Sequence, residues 1–272
     1  MACDSHLHIF ESGFGKAANE SGFVPGASLV DYRTVQARMG TSRAVIVTPR
    51  FFGVDNSVTT DAISKLGISN ARGIAVLRPD VTDTELNRLH AAGIRGVRLT
   101  LYNPENAPLS FDMLEPLAGK IVEWGWHVQL HWSAAQIVEH ASLLARLPCP
   151  IVFDHLGRLP VPMGASHEAF AVVRELAKNG KVWGKLSAPY LNSIAGPSER
   201  YRDAEAPTRR WINEFPDRIV WGSDWPHLTE LEKPASEQPD TVELLSMLDS
   251  WTGDTRISDR ILVENPANLY GF

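Results

Sequence analysis

Cysteine is nearly absent. Cys3 and Cys149 are the only two, and neither belongs to a Cys-x-x-Cys pair. That argues against a disulfide-stapled scaffold or a thiolate metal cluster, and reduced thiols in a cytoplasmic protein are the expected state. Long apolar runs are missing too. No stretch approaches the ~18 apolar residues of a membrane span. The opening MACDSHLHIF has neither a basic segment nor an apolar run, so no secretory leader is expected. Positive charge is in deficit: 26 Lys and Arg against 32 Asp and Glu leave a net charge of -6. Such a surface gives no general attraction for nucleic acid or an anionic membrane, and an anionic small molecule would need local arginines. Charge runs, repeats and heptads are lacking, which leaves a scaffold role without support.

What is present is a regular alternation. Short, nearly continuous apolar runs recur eight times along 272 residues: MACDSH at the start, RAVIVTP (43–49), RGIAVLRP (72–79), IRGVRLT (94–100), HVQLHW (127–132), PIVFDHLG (150–157), VWGKLSA (182–188) and IVWGSDW (219–225). Runs of this kind suit parallel strands covered on both faces. Segments with helical spacing lie between them. The first runs from a Ser28 cap to a stop at Gly40, and another starts on an Asp83 cap and ends at Gly93. Residues 133–147 read as one helix ending before Pro148, and the last sixteen residues as a helical tail closing the fold. No linker divides the chain. The expectation is α/β: a single (β/α)8 TIM barrel over 1–272, with its active site at the C-terminal strand ends. A doubly wound sheet is the alternative, but DSHLHIF is not the Gly-rich turn such a sheet usually opens with. Barrels of this size often associate, so a homo-oligomer is open.

In a barrel the C-terminal strand ends converge. Reading them in order collects Asp4, His6 and His8; Thr48 and Arg50; Arg78; Arg98; His131; Asp154, His155 and Arg158; Lys185 and Ser187; then Asp224 and, just beyond, His227. His6 and His8 share a face, because a strand alternates with period two. Two imidazoles facing one carboxylate can hold a metal, polarise a carbonyl or deprotonate water. Hydrolysis of an activated carbonyl is the chemistry suggested.

DSHLHIF, GIRGVRL, HVQLHW, FDHLGR, KLSAPY and WGSDWPH, in this order, resemble the amidohydrolase superfamily, and within it the 2-pyrone-4,6-dicarboxylate lactonase and sugar-lactone branch. The resemblance spans the chain. It implies a lactone hydrolase acting on a small anionic lactone, with Asp224 as the general base and His6, His8 and His155 polarising the carbonyl. Arg98 and Arg158 would hold carboxylates, helped by Lys185, Ser187, Tyr190, His131 and His227. Many superfamily members hold two metals through a carboxylated lysine on the fourth strand. GVRLTLY has no lysine, which speaks against a bridged pair. The resemblance favours catalysis with no metal and no cofactor. A single zinc on His6, His8, Asp224 and either His131 or His155 is the alternative. The dicarboxylate lactonases carry a further arginine after the fourth strand; here Tyr102, Asn103 and Asn106 stand in that stretch, and a hydroxyl-rich sugar lactone suits them better. Arg50 is a candidate replacement anchor. A sugar-lactone isomerase, a metal-dependent decarboxylase and a non-catalytic anion-binding barrel are the competing readings.

Several residues have plainer explanations. Asp4 is expected to hold His155 or a loop amide. Strand alternation turns Asp154 away from His155, toward a helix. His127 reads as structural, and His90, His140 and His167 as surface residues on helices. Arg78 is a candidate brace for Asp80, and Trp132 and Trp225 are candidate pocket walls.

Overall fold

A computed structural model describes residues 1–14, 24–161 and 163–272, apart from the side chain of Asn106. Eight parallel strands run in sequence order: β1 (Cys3–Leu7), β2 (Arg43–Val47), β3 (Ala71–Ala75), β4 (Ile94–Thr100), β5 (His127–His131), β6 (Ile151–Phe153), β7 (Val182–Leu186) and β8 (Ile219–Trp221). The sheet curls until its ends meet. Leu7 pairs with Trp225, the His8 amide donates to the Trp225 carbonyl at 2.8 Å, and the Asp224 amide donates to the His6 carbonyl at 2.8 Å. The (β/α)8 barrel expected from the alternation is the fold observed.

The helices packed around it are α1 (Leu29–Met39), α2 (Ser57–Leu66), α3 (Asp83–Ala91), α4 (Leu114–Ile121), α5 (Ala134–Glu139), α6 (Ala141–Arg146), α7 (Glu168–Ala177), α8 (Glu205–Glu214) and α9 (Thr241–Thr252). Ser28 caps α1 in a reciprocal capping box with Asp31, and Gly40 ends it at φ 71°. The cap of α3 is Thr82 rather than Asp83. The Thr82 hydroxyl accepts from the Glu85 amide, and Asp83 lies in the first turn, where its charge favours the helix dipole. The single helix expected over 133–147 is two, α5 and α6, broken at His140, whose ring stacks on Phe111 at 4.1 Å.

The tail comprises α10 (Thr255–Asp259), a π turn (Arg260–Glu264) and α11 (Asn265–Tyr270). It closes the N-terminal end of the barrel. Tyr270 packs into a cluster with Cys3, Val45, Val47, Ile74, Val152, Trp183 and Val220. Arg43 and Arg72 lie over the Phe272 ring at 4.8 and 4.7 Å. With this end plugged by side chains, the polar interior opens toward the other end.

Candidate active site

The segment Trp221–His227 is built to deliver one carboxylate. Trp221 is buried in the core, and Gly222 crosses β1 so closely that a Cβ there would lie 2.5 Å from the His6 Cβ. Only glycine fits. Asp4 then ties the two strands: its carboxylate accepts from the Ser223 amide (2.8 Å), the Ser223 hydroxyl (2.7 Å) and Tyr32 (3.2 Å). Asp4 therefore holds a loop amide and not His155. Asp224 follows at φ 58°, a left-handed conformation rare outside glycine and common at functional sites. Trp225 packs on Tyr32, and the Trp225–Pro226 peptide is cis.

Asp224 meets two histidines from β1 and its extension. Its Oδ1 lies 3.3 Å from His6 Nε2 and 3.5 Å from His8 Nε2, and those two nitrogens are 3.3 Å apart. Its Oδ2 accepts a 2.6 Å hydrogen bond from the Tyr190 hydroxyl. Tyr190 is followed by His227, whose Nδ1 is 3.3 Å from the phenol and whose Nε2 is 2.9 Å from Thr241 Oγ1. Burial alone would raise the Asp224 carboxyl, but His155, His8 and His6 hold it well below the usual range. Burial pushes His155 and His227 down to about 4, so both are neutral at pH 7.

Beneath His6 is a buried charge cluster. Asp154 accepts from Arg98 Nε at 2.8 Å and Gln129 Nε2 at 3.1 Å, and its Oδ1 stands 3.6 Å from Lys185 Nζ and 3.4 Å from His6 Nδ1. Lys185 donates to Gln129 Oε1 at 2.7 Å. Burial would raise the Asp154 carboxyl; Arg98, His6 and Lys185 overcome that and hold it well below its ordinary value. Burial lowers Lys185 to about 8 against the pull of Asp154. This corrects the expectation that Asp154 faces a helix. β6 ends at Phe153, and Asp154 keeps the inward parity of Val152. His155 breaks the alternation, turning into the mouth at φ 51°. Gln129 escaped notice in the sequence, although its place between Val128 and Leu130, two before His131, marks the same inward face.

Above the triad is a cavity of about 470 Å³, lined by His8, Arg50, Arg98, Thr100, Tyr102, Asn103, His131, His155, Arg158 and Asp224 with Phe51, Leu191, Leu228 and Thr229. Arg158 lies 4.3 Å over the Tyr102 ring, bonds Asn192 Oδ1 at 2.9 Å and reaches His131 Nε2 at 3.3 Å. Arg50 is exposed at the rim. Lys185, Ser187, Tyr190 and His227 are not on the lining; they back its walls, Ser187 through a 2.8 Å contact to His155 Nδ1. Trp132 and Trp225 are core residues away from the lining, and Thr48 is turned to Asn56 and Thr59. Arg78 is exposed, with no ion pair to Asp80 among the described residues. His127 is buried against Tyr270. His90, His140 and His167 are half-buried rather than free surface groups: His90 accepts from Trp126 and His167 caps α7.

His6, His8 and Asp224 could hold one metal ion. His8 Nδ1 faces the Val47 carbonyl at 2.8 Å, which can only accept, so the neutral ring offers a lone pair at Nε2. The three facing atoms are separated by about the edge length (~3.4 Å) of a tetrahedron with ~2.1 Å bonds, so the donor set fits a single zinc. His6, Asp154 and His155 form a second such group. A cation there would meet Arg98 and Lys185, and that set does not fit.

Fold and site together define a hydrolase-type barrel in which one aspartate and several histidines share a cation-rich mouth. The chain belongs to the amidohydrolase family, whose model matches residues 3–272. It is 33% identical over 283 residues to a 2-pyrone-4,6-dicarboxylate hydrolase of Comamonas testosteroni, covering 99% of this chain and 90% of the relative. It is also 33% identical over 277 residues to a 4-sulfomuconolactone hydrolase of Rhizobium radiobacter, with the same coverage. A D-galactarolactone isomerase of Agrobacterium fabrum is 26% identical over 99% of this chain and 90% of its own length. An apo crystal structure from Agrobacterium tumefaciens superposes with a TM-score of 0.90 at 26% identity, covering 100% of this chain and 94% of that one. An amidohydrolase of Burkholderia multivorans solved with bound zinc shares the fold at a TM-score of 0.73 and 16% identity, covering 100% of this chain and 99% of its own. No helix among the described residues is long and apolar enough to cross a membrane.

Proposed function

We propose that this chain opens a small carboxylated lactone by hydrolysis. The observation that carries the reading is the placement of Asp224: Oδ2 is held by Tyr190, Oδ1 faces His6 and His8, and the carboxylate borders a cavity bearing Arg98 and Arg158. Asp224 takes a proton from water, and the water oxygen attacks the lactone carbonyl carbon. Charge developing on the carbonyl oxygen is met by Arg98 and by His155, whose Nδ1 lies 2.8 Å from Ser187 Oγ; with the hydroxyl donating to Nδ1, Nε2–H is the ring's donor to the substrate. The tetrahedral intermediate collapses, the ring C–O bond breaks, and the ring oxygen leaves with the proton. Arg98, Arg158 and Lys185 outnumber the carboxylates Asp154 and Asp224, with Arg50 a further cation at the rim, and this surplus suits an anionic substrate.

The reaction runs without a bound metal in this reading. Zinc held by His6, His8 and Asp224 would supply Lewis acidity at the carbonyl and a more acidic water. A cytoplasmic setting accords with the two buried thiols, Cys3 and Cys149, which burial pushes up to about 12 and about 11. The second reading is lactone isomerisation, favoured by Tyr102 and Asn103 on the lining, which suit a hydroxylated ring. There a substrate hydroxyl replaces water.

One NMR time course tests these readings. Chelator-treated protein is incubated with 2-pyrone-4,6-dicarboxylate and, separately, with D-galactarolactone. Ring-opened acid forming faster than in buffer is the expected result. A new lactone isomer assigns isomerisation instead. Activity that appears only after zinc is restored assigns the metal, and inertness in both states sinks the lactone reading.

A further inference from the structure

Strand order divides the wall of the cavity into two unlike arcs. β4, β5 and β6, with the loops that follow them, supply Arg98, Thr100, Tyr102, Asn103, His131 and Arg158, in addition to His155. No aliphatic or phenylalanine side chain lines this arc among the described residues. The Tyr102 ring is taken up by Arg158 at 4.3 Å and by His131, stacked at 5.5 Å. Arg98 gives its Nε to Asp154, and its terminal nitrogens have no partner among the described residues, so they are donors available to a carboxylate. The opposite arc follows β7, β8 and β2. It supplies Leu191, Leu228, Pro49 and Phe51, all the wholly apolar side chains of the lining. Leu191, Leu228 and Phe51 are half-buried, and Phe51 rests edge-on against the buried Phe10 ring at 5.8 Å, so this face is preformed. The polar side chains beside them, Arg50 and Thr229, are exposed.

Some apolar lining is usual in a ligand pocket; its segregation to one arc is what selects a ligand. A lactone with its carbonyl at Asp224 and a carboxylate on Arg98 and Arg158 turns its far side toward Phe51, Leu191 and Leu228. A second carboxylate or a hydroxyl on that side would lose water against hydrocarbon. A hydrocarbon group there would instead cover apolar surface that otherwise faces water. We propose that the preferred substrate is an amphipathic lactone, with a carboxylate on one side of the ring and an alkyl or aryl substituent on the other, seated on Phe51, Leu191 and Leu228. Ring opening of such a compound rests on the hydrolytic reading above; the two-sided recognition does not. Phe51 and Leu228 are specificity residues that touch neither the attacking water nor the carbonyl. Arg50 keeps its charge in solvent and reads no second carboxylate.

The first measurement needs no turnover. Binding of biphenyl-3-carboxylate and of benzene-1,3-dicarboxylate, two planar acids with no bond to hydrolyse, is compared by calorimetry at neutral pH and 0.15 M salt. Charge alone favours the dianion. The expected result is tighter binding of the biphenyl monoanion by roughly tenfold or more, with the more negative heat-capacity change. Equal affinity, tighter binding of the dicarboxylate, or no binding of either overturns the proposal. In Leu228→Asn the preference for the biphenyl acid is expected to shrink about tenfold, and an unmoved preference overturns the assignment of the apolar face. Should that variant fail to fold, the wild-type comparison still decides. Kinetics then compare 4-phenyl-2-pyrone-6-carboxylate with 2-pyrone-4,6-dicarboxylate. Higher kcat/KM for the phenyl compound, by about the same factor, is expected, and preference for the dicarboxylate overturns the proposal. If the binding preference holds while neither pyrone opens, the hydrolytic reading fails and the amphipathic site stands.

Discussion

At the scale of single residues, the site depends on what surrounds one carboxylate. Asp224→Asn removes the proposed base while preserving shape, so kcat/KM should drop about 10³-fold, with folding unchanged by circular dichroism. Tyr190→Phe deletes a hydrogen bond to a charged acceptor at 2.6 Å. Interactions of that type contribute ~1.5–3 kcal/mol, so steady-state rates should fall about tenfold or more. An unchanged rate would show that Asp224 is held well enough by the histidines alone. The sequence made Asp224, His6, His8, His155, Arg98 and Arg158 legible because each stands at or just past the end of an apolar run. It misplaced Asp154 for a local reason. The alternation rule was anchored on His155, and His155 is the residue that leaves the strand geometry, at φ 51°. Tyr190 and His227 were readable as site residues, but not the relay in which Tyr190 bonds Asp224 and His227 contacts Tyr190, because both lie on loops whose paths no periodicity encodes.

At the scale of elements, the contact between β8 and β1 is the narrowest tolerance in the fold. A Cβ on Gly222 would lie 2.5 Å from His6 Cβ and 2.7 Å from His6 N, atoms that cannot swing aside as a flexible side-chain end can. Gly222→Ala should therefore lower stability by about 1–3 kcal/mol. It should also cut kcat/KM more than an equally destabilising change at the far end, such as a Tyr270 truncation, because the displaced residue is His6. Denaturant melts paired with kinetics of the two variants check this. All eight strands were recoverable from their apolar runs, since parallel strands covered on both faces leave that signature. Their ends were not: β6 and β8 are only three residues long, and the residues after them turn rather than extend. The division of α5 from α6 was hidden as well, because His140 disturbs no hydrophobic spacing; its stacking on Phe111, a residue distant in sequence, accompanies the break.

At the scale of the whole molecule, buried imidazoles dominate the response to acid. Burial lowers His127 to about 3 and both His155 and His227 to about 4. Below pH ~6.5 the unfolded chain takes up these protons while the folded chain does not, so stability falls as the pH drops toward 4. Each such group contributes about 1.4 kcal/mol per pH unit across that window. Asp4 works the other way: burial raises it to about 6, so the folded state holds a proton that the unfolded state has already lost, and its contribution declines as pH rises from about 4 to 6. His6 and His131, which burial also holds well below the ordinary imidazole value, act in the same direction, and five groups against one leave the acid side weaker. Thermal melts from pH 7 to 4 should show a steadily falling midpoint, and a flat profile would mean that the imidazoles are hydrated in the fold.

The closure of β1 on β8 also has a consequence in time. The donors of the triad lie at residues 6 and 8 and its carboxylate at 224, and Asp4 grips Ser223 across nearly the whole chain. A nascent chain that has emerged as far as β7 carries a first strand with one edge unpaired and two histidines whose Nε2 atoms lack their carboxylate. Such an edge is a template for other chains until the last strand arrives. The site is therefore among the last things synthesis can complete, and a fragment ending before β8 should meet chaperones rather than substrate.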